Sequence, residues 1–478
     1  MRIYVVSVLV ASAALAGCNT ILGISDLTTA GIDAGGDAAS QACTPTTTRA
    51  CYTGAAITAN VGACHDGIQT CQPSSTWGPC VGEVVPGPEI CANGADENCS
   101  GAADEDVDLD HDGFTTCGGD CCDSVECAEP ALVNPGAYDL EANHLDDDCD
   151  GAMDDPPLCD DGLATNASDP RDFARAMDLC PDATTDARRW GVISATWTLT
   201  DGTGVADPRS HAVRDRFGTA VVPHAGAALA VLSSGVAADA DDLDPAFANN
   251  VSTQRMQTAP VPADWLAAHN GALPVAPGCP APNALTANDP VMLTLQIRVP
   301  VNARSFAFDS DFFTWEFPEW VCSPYNDFLV ALLDSTWNDV PANPRDKNLA
   351  AYRDAQQKIW PVGVNLATLD AGLFTQCVNG AVGCAVLGGM TATITTCTGT
   401  DQLPGTGFET GTPGMCTTAS VPGGATGWLT TRGNVVGGET ITLRLAIWDT
   451  SDGAYDSTAV IDHFRWSGTP TSPGTVHD

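Results

Sequence analysis

Positive charge is what this sequence has least of. Among its 478 residues, 19 are Lys or Arg and 60 are Asp or Glu, so the formal net charge at pH 7 is −41. No Lys or Arg occurs between Arg49 and Arg171. Nucleic acids and anionic lipid surfaces repel such a chain, so we expect neither as a partner. The charge favours solubility and the binding of cations.

Recognisable catalytic motifs are also missing. The sequence has no HExxH pair, no GxSxG elbow, no P-loop and no dinucleotide fingerprint. Its eight histidines are scattered, with no HxH or HxxxH pair. Acidic pairs are so abundant that a glycosidase-like pair of carboxylates carries no information here. We therefore expect a protein that is not an enzyme, with a hydrolase as the least favoured alternative.

The acidic residues are most regularly spaced between Asp108 and Gly113, where three carboxylates stand at alternate positions before a glycine. Oxygen ligands at this spacing suit a hard cation such as Ca²⁺. The twelfth position is Gly119, where an EF-hand loop has a bidentate Glu, and Asp120 is the nearest substitute. The predicted ligands are Asp108, Asp110, Asp112, the carbonyl of Phe114, and Asp120.

Two further loops of the same design flank this one at a distance of fifty residues from each other. In both, oxygen-bearing side chains occupy the first, third and fifth places, glycine the sixth and aspartate the ninth. A disordered acidic linker is the alternative, but it would not need repeated glycines and cysteines. The predicted ligands are Asp96, Asn98, Ser100 and Asp104 in the first copy and Asp146, Asp148, Asp150 and Asp154 in the second.

These loops resemble the metal-binding motif of the MopE-like bacterial surface proteins. The resemblance rests on Asp108 to Phe114, on Gly119 to Asp123, on Asn134 to Ala137 and on Asp146 to Asp154. It implies Asp123 as a further ligand, although Cys122 replaces an expected aspartate. Some relatives are linked to copper, which would need soft or imidazole ligands. The nearby histidines are His65, His111 and His144, and we expect calcium rather than copper.

The N-terminus predicts export and a lipid anchor. A short apolar run, residues 3–14, ends in Leu15-Ala16-Gly17-Cys18. The run is typical of a secretory signal, and small residues before a cysteine are typical of a lipobox. Cys18 would then be lipidated and hold the chain on the outer membrane of a Gram-negative bacterium, facing the cell surface or the periplasm. A plain signal peptide with a chance cysteine is the alternative.

Cysteine usage agrees with an exported protein. Of 21 cysteines, 20 remain after Cys18, an even number that fits ten disulfides in an oxidising compartment. Cys64-His65 and its neighbours could instead suggest zinc, but disulfides are favoured. We expect a lipoprotein signal peptide at 1–17, a flexible tether at 18–42, a cysteine-rich module at 43–90, acidic repeats at 91–161, a β-sandwich at 166–467 and a tail at 468–478.

After about Asp169 the composition predicts a mainly β domain. Asp169-Pro170 is typical of a helix N-cap followed by proline, and Phe173, Ala174, Met177 and Cys180 would share one face of a short helix. Runs of β-branched or alternating residues separated by turn residues then predict a jelly-roll-like β-sandwich. The predicted strands are 191–200, 291–299, 305–313, 327–333, 439–448 and 458–466.

This part of the chain resembles the choice-of-anchor L domain. The resemblance rests on Trp190 to Trp197, on Phe306 to Val321 and on Trp448 to Gly453, and it covers about 170–466. It implies a surface-anchored protein with no defined chemistry. His463 stands where relatives carry Asn. The acids that the sheets could gather around a structural Ca²⁺, unless they are exposed turn residues, are Glu316, Glu319, Asp327, Asp449, Asp452, Asp456 and Asp462.

We therefore expect a calcium-binding, disulfide-rich surface lipoprotein with an adhesive or ligand-binding β-sandwich. Its partners would be the membrane, through the lipid anchor, and an unidentified surface polymer, glycan or protein. A carbohydrate-binding sandwich is the main alternative. Trp315, Trp320 and Trp448 could form its sugar platform, although strand aromatics are more often core residues.

Overall fold

The computed structural model describes residues 42–104, 108–123, 127, 129–184, 188–249, 256–368, 373–411, 416 and 421–477. The predicted signal peptide, the lipidation site Cys18 and nearly all of the tether lie outside these residues. The chain divides into two compact units, residues 1–105 and 106–478.

The first unit is a small module held together by disulfides. Strands β1 (Thr48–Cys51) and β2 (Gly67–Thr70) pair in antiparallel fashion, and a 3₁₀ turn spans Ala56–Thr58. The Arg49 guanidinium lies 4.4 Å from the centre of the Trp77 ring. A unit with so few buried apolar side chains needs covalent links to be stable. These links are Cys43–Cys71, Cys51–Cys80 and Cys64–Cys99.

The second unit is mainly β. Its helices are α1 (Pro170–Arg175) and α2 (Ala263–Ala268), and 3₁₀ turns span Thr116–Gly118, Pro130–Leu132, Val364–Thr368 and Ala385–Leu387. In chain order its strands are β3 (Gly191–Thr198), β4 (His211–Arg214), β5 (Leu229–Ser233), β6 (Thr258–Pro260), β7 (Thr286–Arg298), β8 (Ser305–Thr314), β9 (Phe328–Asp334), β10 (Ala351–Arg353), β11 (Ile359–Pro361), β12 (Gly380–Val382), β13 (Ala392–Ile394), β14 (Gly424–Ala425), β15 (Leu429–Asn434), β16 (Thr440–Thr450), β17 (Ser457–Ser467) and β18 (Gly474–His477).

Two large sheets form a β-sandwich, as the sequence predicts. The larger sheet has the order β11-β10-β18-β15-β8-β17-β5-β4, with β14 also paired to β8. The smaller has the order β3-β7-β16-β9, with β6 also paired to β7, and β12 and β13 form a separate hairpin. All six predicted strands are present and include the central strands of both sheets. Five agree with the predicted bounds within two residues, whereas β7 begins five residues earlier than predicted.

Alternate residues of the central strands explain why the sheets pack. Leu293, Leu295 and Ile297 on β7 and Phe306 and Phe308 on β8 belong to one buried core. Apolar side chains that alternate along a strand place one face of each sheet in a common interior. The opposite face of the smaller sheet is also covered, because Trp265 of α2 packs against Trp448 of β16 with ring centres 5.7 Å apart.

Helix α1 begins as its sequence predicts. The Asp169 side chain accepts a hydrogen bond from the Arg171 backbone N–H at 2.9 Å, and Pro170 occupies the first helical position. Phe173 and Met177 are buried in the main core. The predicted helical face is shorter than expected, because the helix ends at Arg175 and Met177 and Cys180 lie beyond it. The disulfide Cys159–Cys180 links the end of the acidic repeats to the segment that follows the helix.

The second half of the acidic segment is packed against the sandwich. Tyr138 is buried in the main core, and its ring lies 5.4 Å from the Trp190 ring in an edge-to-face contact. The Asn302 side chain accepts from the Tyr138 backbone N–H at 3.1 Å and donates to its carbonyl at 2.8 Å. Asp160 accepts from the backbone N–H groups of Ala227 and Ala228. Residues 129–161 therefore pack against the sandwich through side-chain contacts and hydrogen bonds.

All twenty cysteines after Cys18 are in disulfides, so the predicted even pairing is confirmed. Cys64, which could have suggested zinc, is bonded to Cys99. Within the second unit the described pairs are Cys121–Cys149, Cys122–Cys127, Cys159–Cys180, Cys279–Cys322, Cys377–Cys397 and Cys384–Cys416.

The larger sheet continues beyond residue 467, where the sequence predicts that the sandwich ends and a tail begins. Strand β18 pairs with β15 in antiparallel fashion and with β10 in parallel. Thr475 is buried and its hydroxyl donates to the Leu349 carbonyl at 3.0 Å. Residues 474–477 are thus an inner strand of the sheet. In the described part of the chain, no helix has the length and apolar character needed to cross a membrane.

Candidate metal centres

The loop from Asp108 to Phe114 is closed by its own carboxylates. One oxygen of Asp108 accepts from the Gly113 backbone N–H at 3.0 Å, one of Asp110 from Asp112 at 3.1 Å, and one of Asp112 from Phe114 at 2.7 Å. Gly113 has a φ of 96°, which a residue with a side chain rarely adopts. The alternating spacing therefore forms a tight loop in which each aspartate is held by a backbone amide.

The second oxygens of these side chains converge. Oδ2 of Asp110, Asp112 and Asp120 is buried and has no hydrogen-bond partner among the described residues. Carboxylate oxygens of Asp108, Asp110 and Asp112 lie within 4.8 Å of one another, and so do those of Asp110, Asp120 and Asp123. Buried charged oxygens without donors are costly unless a cation neutralises them. The arrangement fits a hard cation with several oxygen ligands.

The pKa shifts of the aspartates in this cluster also favour a bound cation. Burial, together with the charges of Asp112, Asp110 and Asp123, raises the pKa of Asp120 to about 6. Burial also raises the pKa of Asp110, with the neighbouring aspartates adding to the effect. Like charges held this close favour protonation. A bound cation would reverse that effect and keep the carboxylates ionised.

The Asn134 to Ala137 motif packs against the loop from Asp108 to Phe114. A Cβ atom on Gly136 would lie 2.6 Å from the Arg188 carbonyl oxygen and 2.9 Å from the Phe114 ring, so only glycine fits. The Arg188 guanidinium lies 4.6 Å from the centre of the Phe114 ring and donates to the Gly113 carbonyl at 2.7 Å. The Phe114 side chain is buried. The use of its carbonyl as a ligand stays a prediction.

The two flanking loops share one framework at a spacing of fifty residues. In the first, Glu97 accepts from the Ile90 backbone N–H at 3.2 Å and from the Asn93 side chain at 2.6 Å. In the second, Asp147 accepts from the Leu140 backbone N–H at 3.0 Å and from the Asn143 side chain at 2.6 Å. The repeat seen in the sequence is therefore a repeat of structure, with a framework carboxylate outside the predicted ligand set.

The predicted ligands of the second copy face a common point. Oxygens of Asp146, Asp148 and Asp150 lie within 4.8 Å of one another. Burial raises the pKa of Asp148 to about 6, and the charges of Asp150 and Asp146 act in the same direction. Asp154 instead accepts from the backbone N–H of His144 at 2.9 Å and contacts its Nδ1 at 3.0 Å. These contacts join Asp154, at the end of the loop, to His144, near its start.

The first copy has the same geometry with fewer charges. The Asp96 carboxylate accepts from the backbone N–H groups of Ser100 at 3.0 Å and Gly101 at 2.9 Å, as Asp146 does from Asp150 and Gly151. Neutral Asn98 and Ser100 occupy the places of Asp148 and Asp150. Asp104 accepts from the backbone N–H groups of Asn93 and Gly94, as Asp154 does from His144. We expect this loop to bind a cation more weakly than its copy, because two of its ligands carry no charge.

The β-sandwich gathers a second kind of acidic cluster. Glu316, Asp327 and Asp449 are 2%, 0% and 1% exposed, so they are not exposed turn residues. Asp327 accepts from the Ser457 hydroxyl at 2.6 Å and from the Thr450 backbone N–H at 3.2 Å. Burial raises the pKa of Asp327 to about 8 and that of Glu316 well above its ordinary value, where the charge of Asp327 adds to the effect. Binding of a structural Ca²⁺ by these acids stays a prediction.

Two other acids that the sequence grouped with this cluster have hydrogen-bond partners outside it. Glu319 accepts from the Cys416 backbone N–H at 2.7 Å. Asp462 stands five residues further along β17 than Ser457 and accepts from the backbone N–H of His463 at 2.7 Å. Sequence spacing could not separate them, because the direction of each side chain depends on strand register and on a bulge in β17.

The proposed sugar platform is wrong for two of its three aromatics. Trp448 is 0% exposed and Trp315 is 5% exposed, and both belong to buried cores. Trp320 is half-buried and packs edge-on against Tyr325 with ring centres 4.7 Å apart. Their burial follows from their place in and beside strands whose faces are both covered.

A further group of possible ligands was missed in the sequence. His224, Asp309 and His463 bring ligand atoms within 4.8 Å of one another. They come from three distant segments, so no local spacing reveals them. The only signal was His463, at a position where the resemblance to choice-of-anchor L domains implies asparagine.

Comparison with known families supports the metal-binding interpretation of the repeats. The family model named Cu-binding MopE, with the description "Putative metal-binding motif", matches residues 84–105 and 129–155. The matched residues contain the two loops that share a framework. The loop from Asp108 to Asp123 lies between the matched ranges. No curated protein and no solved structure matches the chain. The chain thus carries a metal-binding motif similar to that of the MopE family in its acidic repeats.

Proposed function

We propose that this chain is a non-catalytic surface lipoprotein whose acidic loops bind Ca²⁺ and whose β-sandwich binds a surface polymer, glycan or protein. The observation that carries the proposal is the convergence, in the loop from Asp108 to Asp123, of buried aspartate oxygens that have no donor among the described residues. The resemblance to choice-of-anchor L domains supports a place at the cell surface, and an adhesive or ligand-binding role for the sandwich is part of the proposal.

Calcium is favoured over copper by the donor atoms of the acidic loops. The described groups in these loops consist of carboxylates alone. Every cysteine nearby is in a disulfide, so none offers a thiolate. His144 contacts Asp154, and Nδ1 of His65 lies 3.2 Å from the Asp66 carbonyl oxygen. Oxygen-only sites suit Ca²⁺, whereas copper prefers imidazole or sulfur ligands.

Calorimetric titration tests calcium binding directly. We expect the disulfide-intact chain to bind Ca²⁺ with a dissociation constant on the order of 10⁻⁴ M, as extracellular modules do. Asp110→Asn keeps the shape of the side chain but removes a charge shared by both carboxylate groups around it. It should weaken the binding at that site at least about tenfold. Exposed Asp215→Asn is the matched control and should change nothing. Identical isotherms for wild type and Asp110→Asn would refute the site.

The lipid anchor is a separate prediction. Leu15-Ala16-Gly17-Cys18 follows a short apolar run, so the mature chain should begin at an acylated Cys18. Mass spectrometry of the membrane-extracted protein should show that modification, and Cys18→Ala should move the protein to soluble fractions. An unmodified N-terminus at another residue would contradict this prediction while leaving calcium binding untouched.

A further inference from the structure

Three side chains from separate parts of the β-sandwich meet at its surface. Nδ1 of His224 lies 3.1 Å from Oδ2 of Asp309, and Nδ1 of His463 lies 3.1 Å from the same oxygen. The Asp309 side chain is 3% exposed, whereas those of His224 and His463 are 34% and 28% exposed. A buried carboxylate thus stands below two imidazoles that solvent can reach.

The fold positions both histidines through one buried carboxylate. Asp462 accepts from the backbone N–H of His224 at 2.5 Å and from that of His463 at 2.7 Å. The pairing of β17 with β8 is interrupted between Asp462 and Arg465, and His463 has a φ of 55° within this bulge. A bulge can redirect a side chain, and a left-handed backbone is unfavourable for a residue other than glycine. The strand thus deviates from regular geometry where His463 turns toward Asp309.

We propose that His224, Asp309 and His463 bind a divalent transition-metal ion of the zinc type, at a site distinct from the calcium loops. Two imidazole nitrogens and one carboxylate oxygen are ligands that Zn²⁺ commonly takes. Tetrahedral ligands about 2.0–2.1 Å from zinc lie roughly 3.3 Å from one another, close to the two nitrogen–oxygen distances of 3.1 Å. One coordination position would be left for water or another ligand.

The charges around the three ligands act in both directions, since the Arg465 guanidinium lies 3.2 Å from Nδ1 of His463, one of the proposed ligand atoms. Arg465 contacts the other oxygen of Asp309 at 3.1 Å, so its guanidinium balances one carboxylate. Asp462, Asp160 and Asp178 are buried nearby and repel one another.

The alternative is a hydrogen-bond network in which both histidines donate Nδ1–H to Asp309. That network would need no metal, so it predicts that these three side chains do not bind Zn²⁺.

Zinc titration in the presence of calcium separates them. With about 5 mM Ca²⁺ to saturate the acidic loops, the full chain should bind one further Zn²⁺. His224→Gln and His463→Gln should each weaken this binding at least about 100-fold. His269→Gln is the matched control, since it removes a histidine that contacts a single carboxylate, Asp346, at 2.9 Å. Thermal melts of each variant show whether it is folded.

Two further measurements make the test specific. Cu²⁺ used as a probe should give an electron paramagnetic resonance spectrum with two nitrogen couplings, and with one in each single His variant. Arg465→Gln removes a positive charge beside the ligands and should tighten zinc binding roughly 3–10-fold. Absence of zinc binding by the calcium-saturated wild type, or binding that survives in both His variants, would overturn the proposal.

Discussion

Removing calcium should open residues 108–123 to proteases and leave the β-sandwich intact. The loop has several unpaired buried carboxylate oxygens and few apolar side chains, so its folding should be coupled to cation binding. The sandwich has its own buried core between two sheets and should stay folded. Chelation should therefore produce cleavage within residues 108–123. The digests should be compared after reduction, because a cut after Cys121 leaves its two fragments joined by Cys121–Cys149.

The attachment of Tyr138 narrows the expected region of cleavage. The sequence alone predicts that the whole of residues 91–161 opens on chelation. Burial of Tyr138 and its two hydrogen bonds with Asn302 should protect the segment around it. Asp110→Ala should reproduce the cleavage even in calcium, and Asp215→Ala should not. Protease patterns that are the same with and without chelator would show that no cation holds this loop.

Asp311→Asn should stabilise the β-sandwich at alkaline pH. Asp311 is 0% exposed on β8, and the Thr426 hydroxyl donates to its Oδ1 at 3.3 Å. Burial raises its pKa to about 7. The folded state then holds the proton more tightly than the unfolded state, so the stabilisation is complete below about pH 4 and is lost as pH rises through about 7. At pH 8 the wild type carries a buried charge that Asn avoids.

The expected gain in the free energy of unfolding is roughly 1–4 kcal/mol at pH 8, is smaller at pH 5 and approaches zero only below about pH 4. Denaturant unfolding at the two pH values, with disulfides intact and calcium held constant, measures the difference. Asp215→Asn, on the surface, should show no such dependence on pH. A variant that is less stable than wild type at pH 8 would mean that the ionised form of Asp311 is stabilised by its surroundings.

Local patterns in the sequence were sufficient for much of the fold. The Asp169-Pro170 cap, the alternation in β7 and the repeated acidic loops all depend on residues close together in the chain, and each appears as predicted. The substitution of Asp120 for the missing Glu was also visible, because the two positions are adjacent. Such features follow from backbone and side-chain chemistry over a few residues.

What sequence reasoning missed depends on contacts between distant segments. His224, Asp309 and His463 meet only because β17 lies beside β8 and bulges at His463. The sequence predicts that the sheets could bring Glu316, Asp327 and Asp449 together. Their spacing could not predict that they are buried on a sheet that is covered on both faces. The attachment of Tyr138 to Asn302 joins residues 164 positions apart. Register and tertiary packing determine all three.

Elemental analysis of the purified chain tests the central claim most directly. The sample should be the His224→Gln, His463→Gln variant, made in an oxidising compartment and dialysed to equilibrium against a buffer that contains calcium, zinc and copper, with each metal measured on both sides of the membrane. In that background we predict that the protein side holds a stoichiometric excess of calcium over the buffer side and that Asp110→Asn reduces this excess. Stoichiometric copper with no calcium would contradict the assignment of the acidic loops to a hard cation.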